Sequence, residues 1–126
     1  DYNIIRSPKS YNSQVGVPLS VMAINEKHNL GIFEAGISQK DEMEKLEEII
    51  KPTIGILTNI GAAHDEGFES NEEKFSEKIK LFANSEVLFA REEDIFTAQF
   101  FSNNLKLLTW GKSAFNFFVV ESVRSS

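Results

Sequence analysis

Two residues of metal-ligand type each accompany an apolar, strand-like run. Glu34 lies in the run at residues 30–36, and His64 ends the run at residues 54–64. In an open parallel sheet the carboxyl ends of the strands line one edge, and ligands bind in the crevice beside it. We therefore expect Glu34 and His64 to face the same crevice.

Glu34 is a candidate ligand for a hard divalent cation. It follows the apolar residues 31–33, which leaves its exposure to water open. A buried carboxylate without a partner is costly, and Mg²⁺ held by one or two carboxylates plus substrate phosphates would neutralise it. The alternative is a glutamate that bonds a neighbouring loop, and spacing alone does not exclude it.

His64 follows the small residues 61–63, which would let a ligand approach closely. As neutral imidazole it could bind a metal, and as imidazolium it could contact phosphate. A loop histidine with neither role is the alternative.

Lys78 lies on the same helical face as Phe75 and Phe82, so we expect it to point toward the core or the crevice. A lysine on such a face often buries its stem and extends its ammonium to water. The functional alternative is a desolvated amine with a lowered pKa, able to react or to be modified.

The elements that must position these residues alternate between strand and helix. We predict an α/β fold with a mostly parallel sheet and helices on both faces, built as one domain over residues 1–126, with the last two strands as an antiparallel edge. The capping box Ser70 and Glu73 should begin the helix that carries Lys78. Strands are predicted at residues 3–6, 30–34, 53–60, 86–90, 105–110 and 117–123, and helices at 17–25, 41–51, 70–84 and 92–102.

Composition excludes several classes of partner. A formal charge of -6 and a pI near 4.9 argue against nucleic acid and acidic membranes, which need a basic patch. No run approaches the roughly 20 apolar residues of a membrane span. The absence of cysteine excludes disulfides and thiolate zinc sites and fits a cytoplasmic enzyme. Residues 111–113, Gly-Lys-Ser, follow a strand but lack the earlier glycine and the following helix of a phosphate-binding loop, so we predict a turn.

Three segments in register resemble the central ATP-binding domain of the Mur ligase family of cell-wall enzymes. They are residues 11–18, 33–36 and 58–64. Within the family, the chain is most similar to the branch that joins D-Ala-D-Ala to a UDP-N-acetylmuramoyl-tripeptide. Residues 65–68, 72–74 and 77–82 resemble forms of that branch fused to an alanine racemase.

The resemblance implies roles for particular positions. Glu34 matches an acidic Mg²⁺ ligand beside the ATP phosphates, and His64 matches the histidine of a second metal site. Lys78, fourteen residues after His64, matches a lysine that is carbamoylated in many members and whose carbamate holds that metal. Asn12 matches an asparagine of a loop that meets nucleotide and acceptor, and Asn59 one that shapes the histidine loop. Ser13 and Gln14 depart from the Asn-Asn-Asp run of some members.

The resemblance also implies ATP and Mg²⁺ as cofactors and an ATP-driven amide ligation through an acyl phosphate. In the family, the glycine-rich loop precedes this region, and flanking domains bind the UDP group and close over ATP. The chain begins at Asp1 without an initiator methionine, so we expect a partial central domain that has no ligase activity alone. Two alternatives remain open: a ligase similar to folylpolyglutamate synthetase, and a non-enzymatic interaction domain of the same fold.

Overall fold

A computed structural model describes residues 1–60, 67–95 and 104–120. Strands and helices alternate through most of the described chain, as the sequence predicts for an α/β fold. In chain order the elements are β1 (Ile4–Arg6), α1 (Gly16–Met22), β2 (Leu30–Ile32), α2 (Glu42–Ile50), β3 (Ile54–Leu57), α3 (Asn71–Lys80), β4 (Val87–Arg91), β5 (Lys106–Gly111) and β6 (Phe118–Val119).

The described strands form two sheets, and every strand pair is parallel. One sheet contains β1 and β2, with Ile4 opposite Leu30. The other has the order β3-β4-β5-β6. Because the strands in each sheet run the same way, their carboxyl ends share one edge of that sheet. Glu34 follows β2 at this edge of the smaller sheet, and Asn59 follows β3 at this edge of the larger one.

The antiparallel edge predicted at the end of the chain is wrong, because β6 pairs with β5 in parallel. The connection turns back on itself: Asn116 donates its backbone N–H to the carbonyl of Ser113 at 3.2 Å and its side-chain amide to Glu92 at 2.6 Å. The chain then returns beside the end of β5, with Trp110 opposite Phe118. The Gly-Lys-Ser segment lies in this connection, which forms turns and no helix, as predicted.

The helix that carries Lys78 begins at the predicted cap. The Ser70 hydroxyl accepts the backbone N–H of Glu73 at 3.1 Å. The reciprocal half of the capping box differs from the prediction, because the Glu73 carboxylate accepts the N–H of Glu69, at 2.7 Å, instead of that of Ser70. A carboxylate in the first turn also interacts favourably with the positive end of the helix dipole.

The helix predicted at residues 92–102 does not continue from its first turn. Glu92–Asp94 forms a single 3₁₀ turn, and Ile95 is extended, with φ -88° and ψ 99°. Asp94 accepts two hydrogen bonds from the Arg91 guanidinium, at 2.8 and 2.9 Å, which hold the turn against the end of β4. The rest of that predicted helix, from residue 96, lies outside the described residues.

The core lies between the helices and one face of the larger sheet. Its fully buried side chains come from all three helices and from β4: Phe75, Met43, Leu46, Leu88 and Val17. On β3, Leu57 faces this core, whereas Ile54 and Ile56 are 61% and 63% exposed. Within the described residues, helices therefore do not cover both faces of β3.

Candidate functional site at the carboxyl edge of the strands

Glu34 lies two residues beyond β2, exposed at the carboxyl end of the strand. Its backbone N–H donates to the Ser7 hydroxyl at 3.3 Å. Ser7 in turn donates its own N–H to the carbonyl of Ile32 at 3.1 Å. The β1–β2 pairing thus continues for one step beyond the strands and fixes the main chain at Glu34.

Asn12 holds the Glu34 side chain. Its side-chain amide donates to Oε1 of Glu34 at 2.9 Å. Its backbone carbonyl accepts the N–H of Gly36 at 2.7 Å. Asn12 thus bonds the residues on either side of Ala35. The alternative interpretation of Glu34, a glutamate that bonds a neighbouring loop, therefore has its contact in the structure. The second carboxylate oxygen, Oε2, accepts no hydrogen bond from the described residues.

Lys78 extends from α3 toward the end of β3. Its Nζ donates to the backbone carbonyl of Asn59 at 3.1 Å. The side chain is half-buried, on the same helix as the fully buried Phe75. The periodicity prediction that Lys78 points inward is confirmed, and Asn59 meets it through its main chain.

The pKa of Lys78 lies below the ordinary value of 10.5. Desolvation by burial is the main cause, and the nearby charge of Lys74 lowers the pKa further. The carboxylate of Asp94 acts in the opposite direction. Asp94 is buried just beyond the end of β4, so burial and two neighbouring charges together determine the direction of the pKa shift of this amine.

The loop after Glu34 is tied to the start of α3. Lys40 forms an ion pair with Glu73 at 2.6 Å. Gly67 packs so closely on the carbonyl of Ser38 that a Cβ at this position would clash with it. Lys78 lies five residues beyond Glu73, or about 7.5 Å along the helix axis. The loop that follows Glu34 is thus in contact with the segment that begins the helix of Lys78.

His64 lies outside the described residues, so its place beside Lys78 stays a prediction. The described residues hold no group of three His, Cys, Asp or Glu side chains suited to a metal ion. Mg²⁺ does not require such a cage, because it is usually held by one or two carboxylates, substrate phosphates and water. An exposed carboxylate with one oxygen already oriented, as at Glu34, fits that donor set.

Sequence reasoning missed Ser7 and Asp94. Both follow the end of a strand, β1 and β4 respectively, so the edge rule that selected Glu34 could have selected them. Asp94 also stands in an acidic triplet, residues 92–94, and aspartate is rarely fully buried unless it is paired. The contact with Arg91, three residues earlier, pairs the buried carboxylate, and this i,i+3 spacing was the signal that could have indicated it.

Comparison with known proteins gives one family. The profile described as the Mur ligase middle domain matches residues 1–125. A relative from Treponema pallidum (strain Nichols), named UDP-N-acetylmuramoyl-tripeptide–D-alanyl-D-alanine ligase, is 33% identical over 82 residues, which are 65% of this chain and 18% of the relative. A relative of the same name from Borreliella burgdorferi is 33% identical over 92 residues, or 73% of this chain and 20% of the relative.

Solved structures agree on the fold. A crystal structure of MurF from Acinetobacter baumannii superposes with a TM-score of 0.79 at 20% identity, over 88% of this chain and 26% of that chain. At this identity the likeness shows the fold alone. The chain spans about a fifth of the length of the first two relatives described above. No helix among the described residues has the length and apolar character needed to cross a membrane.

Proposed function

The chain belongs to the Mur ligase middle-domain family, and we propose that residues 1–126 supply part of the ATP-binding site of an amide ligase. The observation that carries this proposal is the half-buried amine of Lys78, directed at the Asn59 carbonyl at the end of β3. A surface lysine would extend to water and keep its ordinary pKa. Lys78 has a lowered pKa and lies beside the edge of the sheet where α/β folds bind ligands.

We propose that the whole protein joins D-Ala-D-Ala to a UDP-N-acetylmuramoyl-tripeptide in the cytoplasm. This substrate pair is the one named for the relatives from Treponema pallidum and Borreliella burgdorferi. The tripeptide carboxylate attacks the γ-phosphorus of ATP, the bond between the γ-phosphorus and the bridging oxygen breaks, and the products are an acyl phosphate and ADP. The dipeptide amine then attacks that acyl carbon, and phosphate leaves. The glycine-rich loop and the flanking domains are supplied by other parts of such a protein.

The residues of this chain would act by position and charge. Glu34 would hold Mg²⁺, which when bound offsets the negative charge of the phosphates and of the attacking carboxylate. Lys78 would bear a carbamate and, with His64, hold a second ion. Asn12 would belong to the loop that meets nucleotide and acceptor, and Asn59 would help to shape the loop that carries His64. Fusion to an alanine racemase stays a prediction.

The test uses a protein of the relatives' length that contains this chain. We expect ADP release that requires both the UDP-tripeptide and D-Ala-D-Ala. Glu34→Gln should lower kcat by about 100-fold or more, because it removes charge stabilisation of the transition state. Glu44→Gln, at an exposed position of α2, is the matched control and should leave kcat unchanged.

Turnover with folate and glutamate instead of the peptides would transfer the assignment to the folylpolyglutamate synthetase alternative. Absence of turnover with either pair, in a protein that folds and carries a glycine-rich loop, would favour the interaction domain. Equal activity of Glu34→Gln and the parent protein would refute the role of Glu34.

A further inference from the structure

Asn12 is held in place independently of its contact with Glu34. Its carbonyl accepts the Gly36 N–H at 2.7 Å. A Cβ on Gly36 would come within 3.3 Å of that carbonyl oxygen and 3.4 Å of the Asn12 side-chain carbon Cγ. The absence of a side chain at Gly36 therefore lets Asn12 pack directly on the segment that bears the carboxylate.

Glu34, in contrast, is exposed. An exposed glutamate samples many rotamers and loses that freedom when it binds a cation. Here the Ser7 hydroxyl fixes the backbone of Glu34, and the Asn12 amide fixes one side-chain oxygen at 2.9 Å. The carboxylate is oriented before any ligand arrives.

The hydrogen-bond donor at position 12 is neutral, and this determines whether the Glu34 carboxylate can still attract a cation. A lysine or arginine at position 12 would neutralise the carboxylate and weaken its attraction for a cation. The asparagine amide is neutral and donates to Oε1. The full negative charge and the oxygen Oε2 remain available to a metal ion.

We propose that Asn12 is a positioning residue that orients the Glu34 carboxylate toward a divalent cation bound together with a nucleotide. This inference rests on the proposed function and changes the role of Asn12, which acts through Glu34 and not by contact with the nucleotide. Hydrogen-bond partners of metal-binding side chains commonly change metal affinity by about 10- to 100-fold when they are removed.

The test measures Mn²⁺ binding by electron paramagnetic resonance, with ADP present, in a protein of the relatives' length. We expect Asn12→Ala to weaken Mn²⁺ binding about tenfold or more. In a Glu34→Gln background the same change should have no effect, because the group that Asn12 orients is gone. Asn12→Leu keeps the shape of the side chain without the donor and should reproduce the loss if Asn12→Ala folds poorly.

Asn84→Ala is the matched control. Asn84 also donates its amide to a glutamate, at 3.1 Å to Oε1 of Glu47, but it lines a cleft at the amino end of β3. Its removal should leave Mn²⁺ affinity unchanged. Equal losses from Asn12→Ala with and without Glu34 would show a direct contact with the nucleotide and overturn the proposal. Unchanged affinity in both Asn12 variants would overturn it as well.

The two proposals fail separately. Coupling between Asn12 and Glu34 in a protein without peptide-dependent ADP release would refute the ligase and leave the positioning role intact. Peptide-dependent release without that coupling would refute the positioning role alone.

Discussion

At Lys78, burial and charge act together on one amine. Desolvation and the Lys74 ammonium favour its neutral form, and only a neutral amine can attack CO₂ to form a carbamate. The Asn59 carbonyl holds Nζ at 3.1 Å and directs it to the end of β3. The lowered pKa and this contact both support the carbamate that we propose for Lys78.

We predict that ¹³C-bicarbonate labels Lys78 as a carbamate in a protein of the relatives' length. Because the folded pKa lies below 10.5, the neutral fraction grows as pH rises toward that pKa, so the ¹³C signal should increase from pH 7 to pH 9. The measurement is the carbamate resonance by NMR, which Lys78→Arg should abolish.

Lys80→Arg provides the control for this labelling. Lys80 lies two residues further on the same helix, where the Glu77 carboxylate raises its pKa, so its amine stays protonated and should not react. A carbamate signal that persists in Lys78→Arg, or that disappears in Lys80→Arg, would contradict the account.

Sequence patterns predicted the orientation of a single side chain better than its hydrogen-bond partner. The 3.6-residue period placed Lys78 on the inner face of its helix, since Phe75 and Phe82 lie on that face. The bond between Asn12 and Glu34 joins residues 22 positions apart, and no period reports such a contact. The resemblance to the family named both residues without indicating that they touch.

At the scale of elements, the turn that follows α3 packs closely on β3. Gly55 lies opposite the ring of Phe82 and the side chain of Leu88, and a Cβ at Gly55 would clash with the Phe82 ring. Both neighbours are buried and have little room to move. The absence of a side chain at Gly55 lets the turn after α3 approach the sheet closely.

We predict that Gly55→Ala destabilises the fold by about 1–3 kcal/mol, because overpacking forces buried side chains out of their rotamers. The measurement is the change in urea midpoint. Gly31→Ala is the control: its Cβ would meet the ring of Phe33 at 2.7 Å, and that half-buried ring can rotate away. A loss at Gly31 as large as the loss at Gly55 would contradict this explanation.

The sequence predicted which segments are helices or strands more reliably than the residues at which they end or the direction in which the strands pair. The strand predicted at residues 53–60 is β3, Ile54–Leu57, because pairing with β4 ends at Leu57. The parallel direction of β6 could not be predicted, since it depends on the Asn116 contacts with Glu92 and Ser113. A short turn containing Gly111 suggested a hairpin, and tertiary contacts overrode that local signal.

At the scale of the whole molecule, β3 presents an apolar face that the described part of the chain leaves exposed. Ile54 and Ile56 are 61% and 63% exposed on a strand of an all-parallel sheet, a type of sheet that is almost always covered on both faces. The relatives are about five times as long as the region that they share with this chain. We expect other parts of such a protein to cover this face.

We predict that the 126-residue chain alone binds the dye ANS, which reports exposed apolar surface. The double variant Ile54→Thr and Ile56→Thr should reduce that fluorescence, and in a protein of the relatives' length it should lower the melting temperature. An unchanged melting temperature there would show that nothing covers this face of β3.

The proposed site requires one pocket that holds a nucleotide, a cation and both Glu34 and Lys78. The most direct test is anomalous diffraction from crystals of a protein of the relatives' length with Mn²⁺ and a non-hydrolysable ATP analogue. We predict a Mn²⁺ peak in direct contact with a Glu34 carboxylate oxygen and with the phosphates, with Lys78 lining the same pocket. A peak that contacts the phosphates but neither residue, with Glu34 and Lys78 on separate surfaces, would contradict the account.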